Sequence, residues 1–511
     1  MQKSVQNNII FALIALLVLD AFYAIYIFGV NVPHWDDHAV RNFIDNFYVT
    51  GIFSFHNEHR LGLTRLVALV TNLLSGELDF KYLMYFGQFS LVGLLASYFY
   101  IAKELSISKV GLLILAMCIF NFSTFENSLW GMAAVQNHGI LFFASATLIT
   151  LSLADISNKY IFSLAIFFSF CCLVTSGNGV LVAPIGLLLL FFRGQSKKAW
   201  YWLGIHAVVF TVYFIGFSRN GGQKPHFEGF FLNSIAISGS LIYPILGKAV
   251  NATLPSLVGL LNIALSLFVF FRLFFLKDSN QKLLVFLGLQ AFFFGTLALI
   301  AISRNDYETA VLLSSKYKIY AFLIFGTNAF FGYEFLSNKK VKYGLIAFTI
   351  LIFFNAQLSY WPLQKALKLE RTADLFNLKQ ASSGNSSFKL SSLKFEASLN
   401  PDLAISDEGK VDSIAFIDDK LLFFENDLDS HVESYIWLKS DSVQYLEPLN
   451  NMGYSILKSS SGRADLDLKN FKTDVYQIYL LEVDKLKSKL YNTNKTVRIE
   501  GVEFTEAAKN W

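Results

Sequence analysis

Long apolar stretches, separated by short polar segments, run from the start of the chain to about residue 360. A helix needs roughly 20 apolar residues to cross the hydrocarbon core of a bilayer, and these stretches approach that length. The pattern predicts a mainly α-helical, polytopic membrane protein with about eleven transmembrane helices. The predicted spans are 9–30, 81–102, 110–125, 139–154, 160–177, 179–193, 199–217, 253–275, 283–302, 314–336 and 343–360.

Two other apolar segments are predicted to lie at the membrane without crossing it. Residues 61–76 are too few to span a bilayer comfortably and carry Arg65, which favours an interfacial helix within a loop over 31–80. Residues 227–250 contain a proline and a glycine near their end, which favours a re-entrant or interfacial segment.

The sequence changes character after about Trp361, where charged residues, Ser and Asn become frequent. Short runs rich in β-branched and aromatic residues there are typical of strands. The predicted strands are 414–417, 421–424, 435–438 and 475–483. We therefore predict a transmembrane domain over 1–361 and a β-rich domain over 362–511, with a sandwich as one arrangement. A helical connector over 362–380 is expected to join them.

The composition indicates that lipid is the solvent for most of this apolar surface. The 511 residues are 54% hydrophobic and 16% charged, whereas soluble domains carry about a quarter charged residues. The formal net charge of +4 is too small to indicate binding to nucleic acid. We expect the lipid bilayer as a partner and no nucleic acid.

Clusters of Lys and Arg between the spans predict the orientation of the chain. The five clusters are Lys103 with Lys109; Lys159; Arg193 with Lys197 and Lys198; Arg272 with Lys277 and Lys282; and Lys339 with Lys340 and Lys342. All five fall on one side if the loop over 31–80 does not cross. Because basic loops stay in the cytoplasm, this predicts a cytoplasmic N-terminus and an extracytoplasmic C-terminal domain.

The loop after the first span holds an unusual density of ionisable residues. Four of the 8 His lie within 34–59, together with Asp36 and Asp37, and Arg60 follows directly. Charges held beside the membrane are costly unless they are paired or useful. If 35–48 is helical, Asp37 and Arg41 lie on one face and can form an ion pair. Asp36 then projects from another face and is available for a catalytic role. The alternative is an ordinary solvated loop with a capping Asp and surface ion pairs.

The chain resembles the GT-C class of membrane glycosyltransferases over roughly residues 1–336. The resemblance rests on a first span, an outer loop with Trp35-Asp36-Asp37, an interfacial helix and further spans. Three motifs also resemble ones that recur in poorly characterised bacterial membrane proteins of this type. They are His56-Asn57-Glu58-His59-Arg60, Glu126-Asn127 with Trp130 and Gln136, and Arg304 with Ser314-Ser315-Lys316-Tyr317. Those relatives carry Arg where this chain has Lys316, which keeps the charge but loses bidentate phosphate geometry.

The resemblance implies an inverting transferase that moves a sugar from a polyprenyl-phosphate donor to a cell-surface glycan or lipid. Asp36 or Asp37 is then the general base that takes the proton of the acceptor hydroxyl. Cationic groups are expected on the donor phosphate: His56, His59, Arg60, Arg304 and Lys316. The residues expected to line the cavity are Trp35, Glu58, Glu126, Asn127, Gln136 and Tyr317. The implied location is a bacterial inner membrane.

Two alternatives stay open at this level. No cofactor is firmly predicted, but His34, Asp37, His38 and Glu58 have the right ligand types for a divalent metal, although their spacing matches no strict motif. A transporter or flippase of a lipid-linked glycan is the alternative function. That class usually places ionisable residues near the middle of the bilayer and often shows internal repeats, and the sequence pattern shows neither.

Overall fold

The computed structural model describes 2–57, 59–217, 229–276, 280–304, 309–313, 315–381, 413–417, 420–428, 432–451, 460–467, 473–484 and 487–499. The chain forms two compact units. The first unit comprises Met1–Ile27, Asn42–Leu74 and Phe80–Trp361, and the second unit comprises Phe28–Arg41, Ser75–Asp79 and Pro362–Trp511. The sequence prediction also divided the chain after residue 361, but it did not place the two short early segments with the C-terminal part.

Helices dominate the chain up to residue 381. They are α1 (Gln2–Phe28), α2 (Asp37–Asp45), α3 (Gly62–Ser75), α4 (Phe80–Glu104), α5 (Lys109–Ile119), α6 (Phe125–Ser128), α7 (Gly131–Ala133), α8 (Gly139–Leu153), α9 (Lys159–Thr175), α10 (Val182–Phe192), α11 (Ser196–Phe214), α12 (Phe230–Ser238), α13 (Thr253–Phe275), α14 (Asn280–Ser303), α15 (Thr309–Leu312), α16 (Ser315–Gly332) and α17 (Lys339–Ala381). The prediction of a mainly α-helical protein is confirmed.

Seven helical segments in the described part of the chain are long and apolar enough to cross a membrane, which indicates a multi-pass membrane protein. They are Val5–Phe28, Phe80–Glu104, Lys109–Ser128, Gly131–Leu153, Thr253–Phe275, Asn280–Ser303 and Lys339–Leu378. The other four predicted spans coincide with α9, α10, α11 and α16. The prediction of eleven crossings, like the predicted orientation, stays a prediction.

The two segments predicted to lie at the membrane surface both contain helices, one continuous and one interrupted. Residues 61–76 form α3, and 227–250 contain α12, a 3-10 turn over Ser240–Ile242 and an irregular turn. Helix α12 packs very closely on α13, because a Cβ added at Gly239 would lie 1.8 Å from the carbonyl oxygen of Pro255. The glycine there is needed for this close approach of two backbones.

The second unit contains the β-rich region that the sequence predicted. Strands β1 (Phe55–His56) and β2 (His59–Arg60) belong to the first unit. The strands of the second unit are β3 (Ser413–Ile417), β4 (Lys420–Leu428), β5 (Glu433–Lys439), β6 (Gln444–Pro448), β7 (Asn450–Asn451), β8 (Ser460–Asp467), β9 (Asp474–Asp484) and β10 (Lys487–Ile499). Among the described residues they form two antiparallel sheets, with strand orders β10-β9-β5-β6 and β3-β4-β8-β7. Ala464 of β8 lies in one apolar core with Ile436, Tyr476 and Ile478 of the first sheet, as two packed sheets require.

A second apolar core covers the opposite face of the β10-β9-β5-β6 sheet. Leu369, Ala373 and Phe376 of α17 pack there against Tyr435 and Trp437 of β5. Alternate residues of a strand point to opposite faces, so β5 supplies both cores. The predicted connector is therefore the C-terminal part of α17, a single 43-residue helix with Pro362 inside it.

Candidate functional site

A cluster of hydrogen-bonded polar side chains lies inside the first unit, where two motifs far apart in sequence meet. The Glu126 carboxylate accepts the backbone N–H of Lys316 (3.2 Å), and the Asn127 amide donates to the Lys316 carbonyl (2.9 Å). The backbone N–H of Glu126 donates to the Ser315 hydroxyl (3.3 Å). Glu126 thus places a negative charge at the N-terminus of α16, where the helix dipole stabilises it.

Two further side chains of the cluster, Gln136 and Asn137, lie on a π-helical turn over Ala134–His138, between α7 and α8. Asn137 donates to the Asn127 side chain (2.8 Å), and Gln136 donates to the Ser176 hydroxyl (3.5 Å). Single π-turns inside α-helices are frequent at functional sites because they re-aim side chains. This turn directs two neighbouring amides to different parts of the cluster.

The loop after α9 joins the cluster to the centre of the unit. Asn178 donates to the hydroxyls of Thr296 and Tyr320, both at 3.1 Å. His59 lies against the same loop, because a Cβ at Gly177 would be 3.3 Å from its Nδ1 atom. We call the residues of these three paragraphs the polar network. They are His59, Glu126, Asn127, Gln136, Asn137, Ser176, Asn178, Thr296, Ser315, Lys316 and Tyr320.

Lys318 is a fully buried ammonium group beside this network, with 0% of its surface exposed. Its Nζ atom donates to the Tyr243 carbonyl and the Tyr360 hydroxyl. It also lies 4.9 Å and 5.0 Å from the ring centroids of those two tyrosines. Glu126 is its oppositely charged partner. The two rings and the Glu126 carboxylate offset part of the cost of burying this amine.

Helix α17 fixes the segment that carries Glu126. The Gln357 side-chain amide oxygen accepts the backbone N–H of Phe122 (2.8 Å), and the Trp361 ring centroid lies 5.8 Å from that of Phe122. Asn121 caps the 3-10 turn that follows, accepting the N–H of Ser123 (3.0 Å). Backbone that is neither helix nor strand is tolerated inside a membrane-spanning unit when its polar groups are satisfied in this way.

The motif that begins at His56 includes a short hairpin, formed by Phe55–His56 and His59–Arg60, in which His56 and His59 are directly opposite each other. Its turn residue Asn57 adopts a left-handed backbone (φ 52°), which Asn tolerates better than most residues. Glu58, predicted to line the cavity, lies outside the described residues. Because residues directly opposite each other in an antiparallel pair point to the same face, both predicted histidines share one face of the hairpin.

Arg60 is held by the backbone rather than by a carboxylate. Its Nε donates to the Tyr213 carbonyl (2.8 Å), one terminal nitrogen donates to the Ile215 carbonyl (2.6 Å), and the other donates to the Phe53 carbonyl. Its guanidinium carbon also stacks 4.0 Å from the Phe55 ring centroid. Phosphate binding by Arg60 stays a prediction, and a phosphate would have to compete with these carbonyls.

Of the other predicted phosphate and cavity residues, Lys316 and Tyr317 lie in the first turn of α16. The Lys316 ammonium lies 5.3 Å from the Tyr317 ring centroid. Arg304 lies just after α14 and is exposed. The polar network thus contains His59, Glu126, Asn127, Gln136 and Lys316 from the predicted set.

The predicted catalytic carboxylates belong to the second unit and have different surroundings. Asp37 begins α2, is 0% exposed and accepts the backbone N–H of His34 (3.2 Å). Asp36 is partly exposed. Trp35 adopts a left-handed backbone (φ 44°) and stacks on His34, with ring centroids 4.6 Å apart. Such backbone strain in a bulky residue is often retained at functional sites.

Arg371 of α17 is the buried counter-charge in the second unit. It is 4% exposed, and its electrostatic partners are Asp37, Asp374 and Glu370. Burial, Arg371 and His38 together lower the pKa of His34 to about 2, so this imidazole is neutral at physiological pH. The pairing of Asp37 with Arg41 expected from helical spacing stays a prediction, whereas Arg371 is an electrostatic partner of Asp37 that the sequence did not suggest.

Glu447 makes the stability of the second unit depend on pH. Burial and the nearby carboxylates of Asp374 and Glu370 raise its pKa from 4.5 to about 8. The folded state holds this proton more tightly than the unfolded state, so the associated stability is complete below pH 4.5 and is lost as the pH rises to about 8. The slope is about 1.4 kcal/mol per pH unit at most, because Glu447 is partly solvent-accessible and screening reduces it.

We expect Glu447→Gln to abolish this decline, since the amide stays neutral at every pH. Hydrogen exchange of the β5, β6 and β9 amides in the full chain, at pH 5 and pH 8, measures the effect. Asp441→Asn, at an exposed position, is the matched control. An unchanged pH slope in Glu447→Gln would contradict the assignment.

The metal prediction stays untested. Within the described ranges no group of three or more His, Cys, Asp or Glu side chains is arranged to hold a metal ion. Glu58, one of the four proposed ligands, is outside those ranges.

Lys318 and Arg371 were missed by reasoning from sequence alone. A lysine inside the predicted span 314–336 was the available signal for Lys318, because charged residues within spans are rare and usually functional. No comparable signal marked Arg371, which stands among other charged residues. Comparison of the chain with protein-family models, with curated proteins and with solved structures gave no match in any of the three.

Proposed function

We propose that the protein is a GT-C-type, inverting glycosyltransferase of a bacterial inner membrane. It would transfer a sugar from a polyprenyl-phosphate donor to a cell-surface glycan or lipid acceptor in cell-envelope polysaccharide biosynthesis. The observation that carries the proposal is the polar network with the buried Lys318. Polar and ionisable groups are expensive inside a membrane-spanning unit, and where they converge they usually bind substrate.

The chemistry of α16 suits the phosphate of such a donor. Lys316 and Lys318 stand in its first turn, where the helix dipole adds to their positive charge. A lysine is a mobile point charge and binds phosphate without the fork geometry of arginine. Phosphate would compete with Glu126 for the backbone N–H of Lys316, as a ligand-binding helix end allows.

The environments of the two candidate bases favour Asp36. A general base must come within hydrogen-bond reach of the acceptor hydroxyl. Asp36 is partly exposed, whereas Asp37 is completely buried and accepts the N–H of His34. We assign Asp36 as the base and Asp37 as the carboxylate that balances Arg371 and shapes the turn at Trp35.

A second candidate function is transport of a lipid-linked glycan, and a specific feature favours it. Three amides lie deep within the helices of the first unit: Gln290 donates to Asn328 (2.9 Å), and Asn328 donates to Asn262 (3.2 Å). Polar groups near the middle of the bilayer are typical of transporter sites. Reconstituted vesicles distinguish the two, because a transferase forms a new glycan product and a flippase only moves the donor across the bilayer.

We expect Asp36→Asn to lower transfer by at least about a hundredfold, the usual contribution of a general base. Transfer is measured with a radiolabelled polyprenyl-phosphate sugar and, in cells, by surface glycan composition. Asp45→Asn, at the exposed end of α2, is the matched control and should keep activity. Full activity in both Asp36→Asn and Asp37→Asn would remove the carboxylates from the mechanism.

A further inference from the structure

Asp20 is an acidic residue inside the first membrane-spanning helix. Asp20 lies eight residues before the end of the apolar segment Val5–Phe28. At 1.5 Å per residue, the axial distance from Asp20 to Phe28 is about 12 Å. Its carboxylate therefore lies well below the surface of the hydrocarbon layer. The proposed transferase chemistry does not use it.

The interactions of Asp20 within the chain do not offset the cost of its position. Gln357 of α17 donates to one carboxylate oxygen at 3.2 Å. Hydrogen bonds between membrane helices contribute roughly 0.6 kcal/mol on average, whereas an Asp at the centre of a span costs about 2.5–3.5 kcal/mol. A bond to Gln357 alone therefore leaves most of the cost uncompensated.

The helix face beside Asp20 is uncovered in the described structure. Leu16 and Tyr23, one turn before and after it on the same stripe, are 61% and 55% exposed. The packed face of α1 lies further round the helix, at Ile14 and Ile25, and reaches Asp20 at Ala24. Asp20 stands at the edge between the two faces and is itself partly exposed, so a second helix laid on the stripe would reach its carboxylate.

We propose that Asp20 and the stripe of Leu16 and Tyr23 dock the transmembrane helix of a partner protein that carries a Lys or Arg at the same depth. Opposite charge is the complement that a carboxylate in lipid requires, since an intramembrane ion pair is far less costly than an isolated ion. Apolar residues on either side supply the packing surface for the partner helix.

A second copy of this chain does not offer that complement. In the seven described spans every Lys and Arg lies within a few residues of a span end, apart from the polar extension of α17 after Trp361. Lys318, the cation placed deeper, is completely buried. The partner is therefore a different protein, with its own intramembrane cation.

The test uses the purified full chain in vesicles of phosphatidylethanolamine and phosphatidylglycerol. The probe is a single-span oligoleucine helix with one Lys about 12 Å from the end that aligns with Phe28, and its control has Leu at that position. Association is followed by resonance energy transfer between labels on the two chains. We expect the Lys helix to bind at least about tenfold more tightly than the Leu helix, a difference of about 1.4 kcal/mol.

Variants of the chain test whether the preference for the Lys helix depends on the Asp20 carboxylate. Asp20→Leu should remove the preference for the Lys helix, Asp20→Glu should keep it, and the control Asp45→Asn should change nothing. Equal binding of both probes to the unaltered chain would overturn the proposal. Association of the chain with itself that is lost in Asp20→Leu would assign the stripe to a second copy and overturn it as well. Sugar transfer is measured separately, so neither result depends on the proposed function.

Discussion

Replacing Arg371 by Met is expected to destabilise the second unit by about 3–5 kcal/mol, because it takes a buried cation away from the buried Asp37 carboxylate. Asp37 is 0% exposed, and Arg371 has it as an electrostatic partner. A buried pair contributes little net stability when formed, since both charges lose their hydration. Removal of one partner is costly because the remaining charge stays in a poorly solvated site.

Hydrogen exchange of the β5 and β9 amides in the full chain measures this loss. The matched control is Lys368→Met, which breaks a part-exposed ion pair with Glu433 (2.7 Å) and should cost no more than about 1 kcal/mol. The double variant Arg371→Met/Asp37→Asn should recover most of the loss, because it removes both charges. Equal effects of Arg371→Met and Lys368→Met, or no recovery in the double variant, would contradict the pairing.

The helices could be predicted because the length and apolar character of a membrane-spanning segment depend only on its own residues. All eleven predicted spans coincide with helices, and α13 has the predicted bounds, Thr253–Phe275. The strands near 414, 435 and 475 were likewise recognisable from their own residues. The close contact at Gly239 could not be predicted, since it depends on the backbone of Pro255 in the next helix.

The individual motifs of the candidate site could be predicted from the sequence, but the hydrogen bonds that join them could not. The motifs at Glu126 and Lys316 could each be recognised, but their hydrogen bond spans 190 positions and follows from the packing of α5 on α16. The same limit applies to Arg60, where a predicted phosphate ligand donates to three carbonyls. Residue types indicate which chemistry is available, whereas tertiary packing decides which partner each group has.

Lys318→Met is expected to lower sugar transfer by about a hundredfold while the protein still folds, and this prediction rests on the proposed function. One preorganised charge aimed at a developing anion typically contributes that much. Folding should survive because an apolar side chain of similar length removes the cost of burying an ammonium group. The Tyr243 carbonyl also keeps a donor, the Tyr360 hydroxyl at 3.1 Å.

Controls separate a role in binding anionic substrate from simple balance of the Glu126 charge. Lys248→Met, at an exposed position, should keep activity and excludes a general effect of lost charge. The double variant Lys318→Met/Glu126→Gln removes both members of the pair. If Lys318 serves only to neutralise Glu126, the double variant regains transfer, and the substrate role is wrong. If Lys318 stabilises the donor phosphate, the double variant stays inactive, because no other buried cation in the described first turn of α16 replaces the missing charge. Its melting temperature should still match that of the unaltered chain.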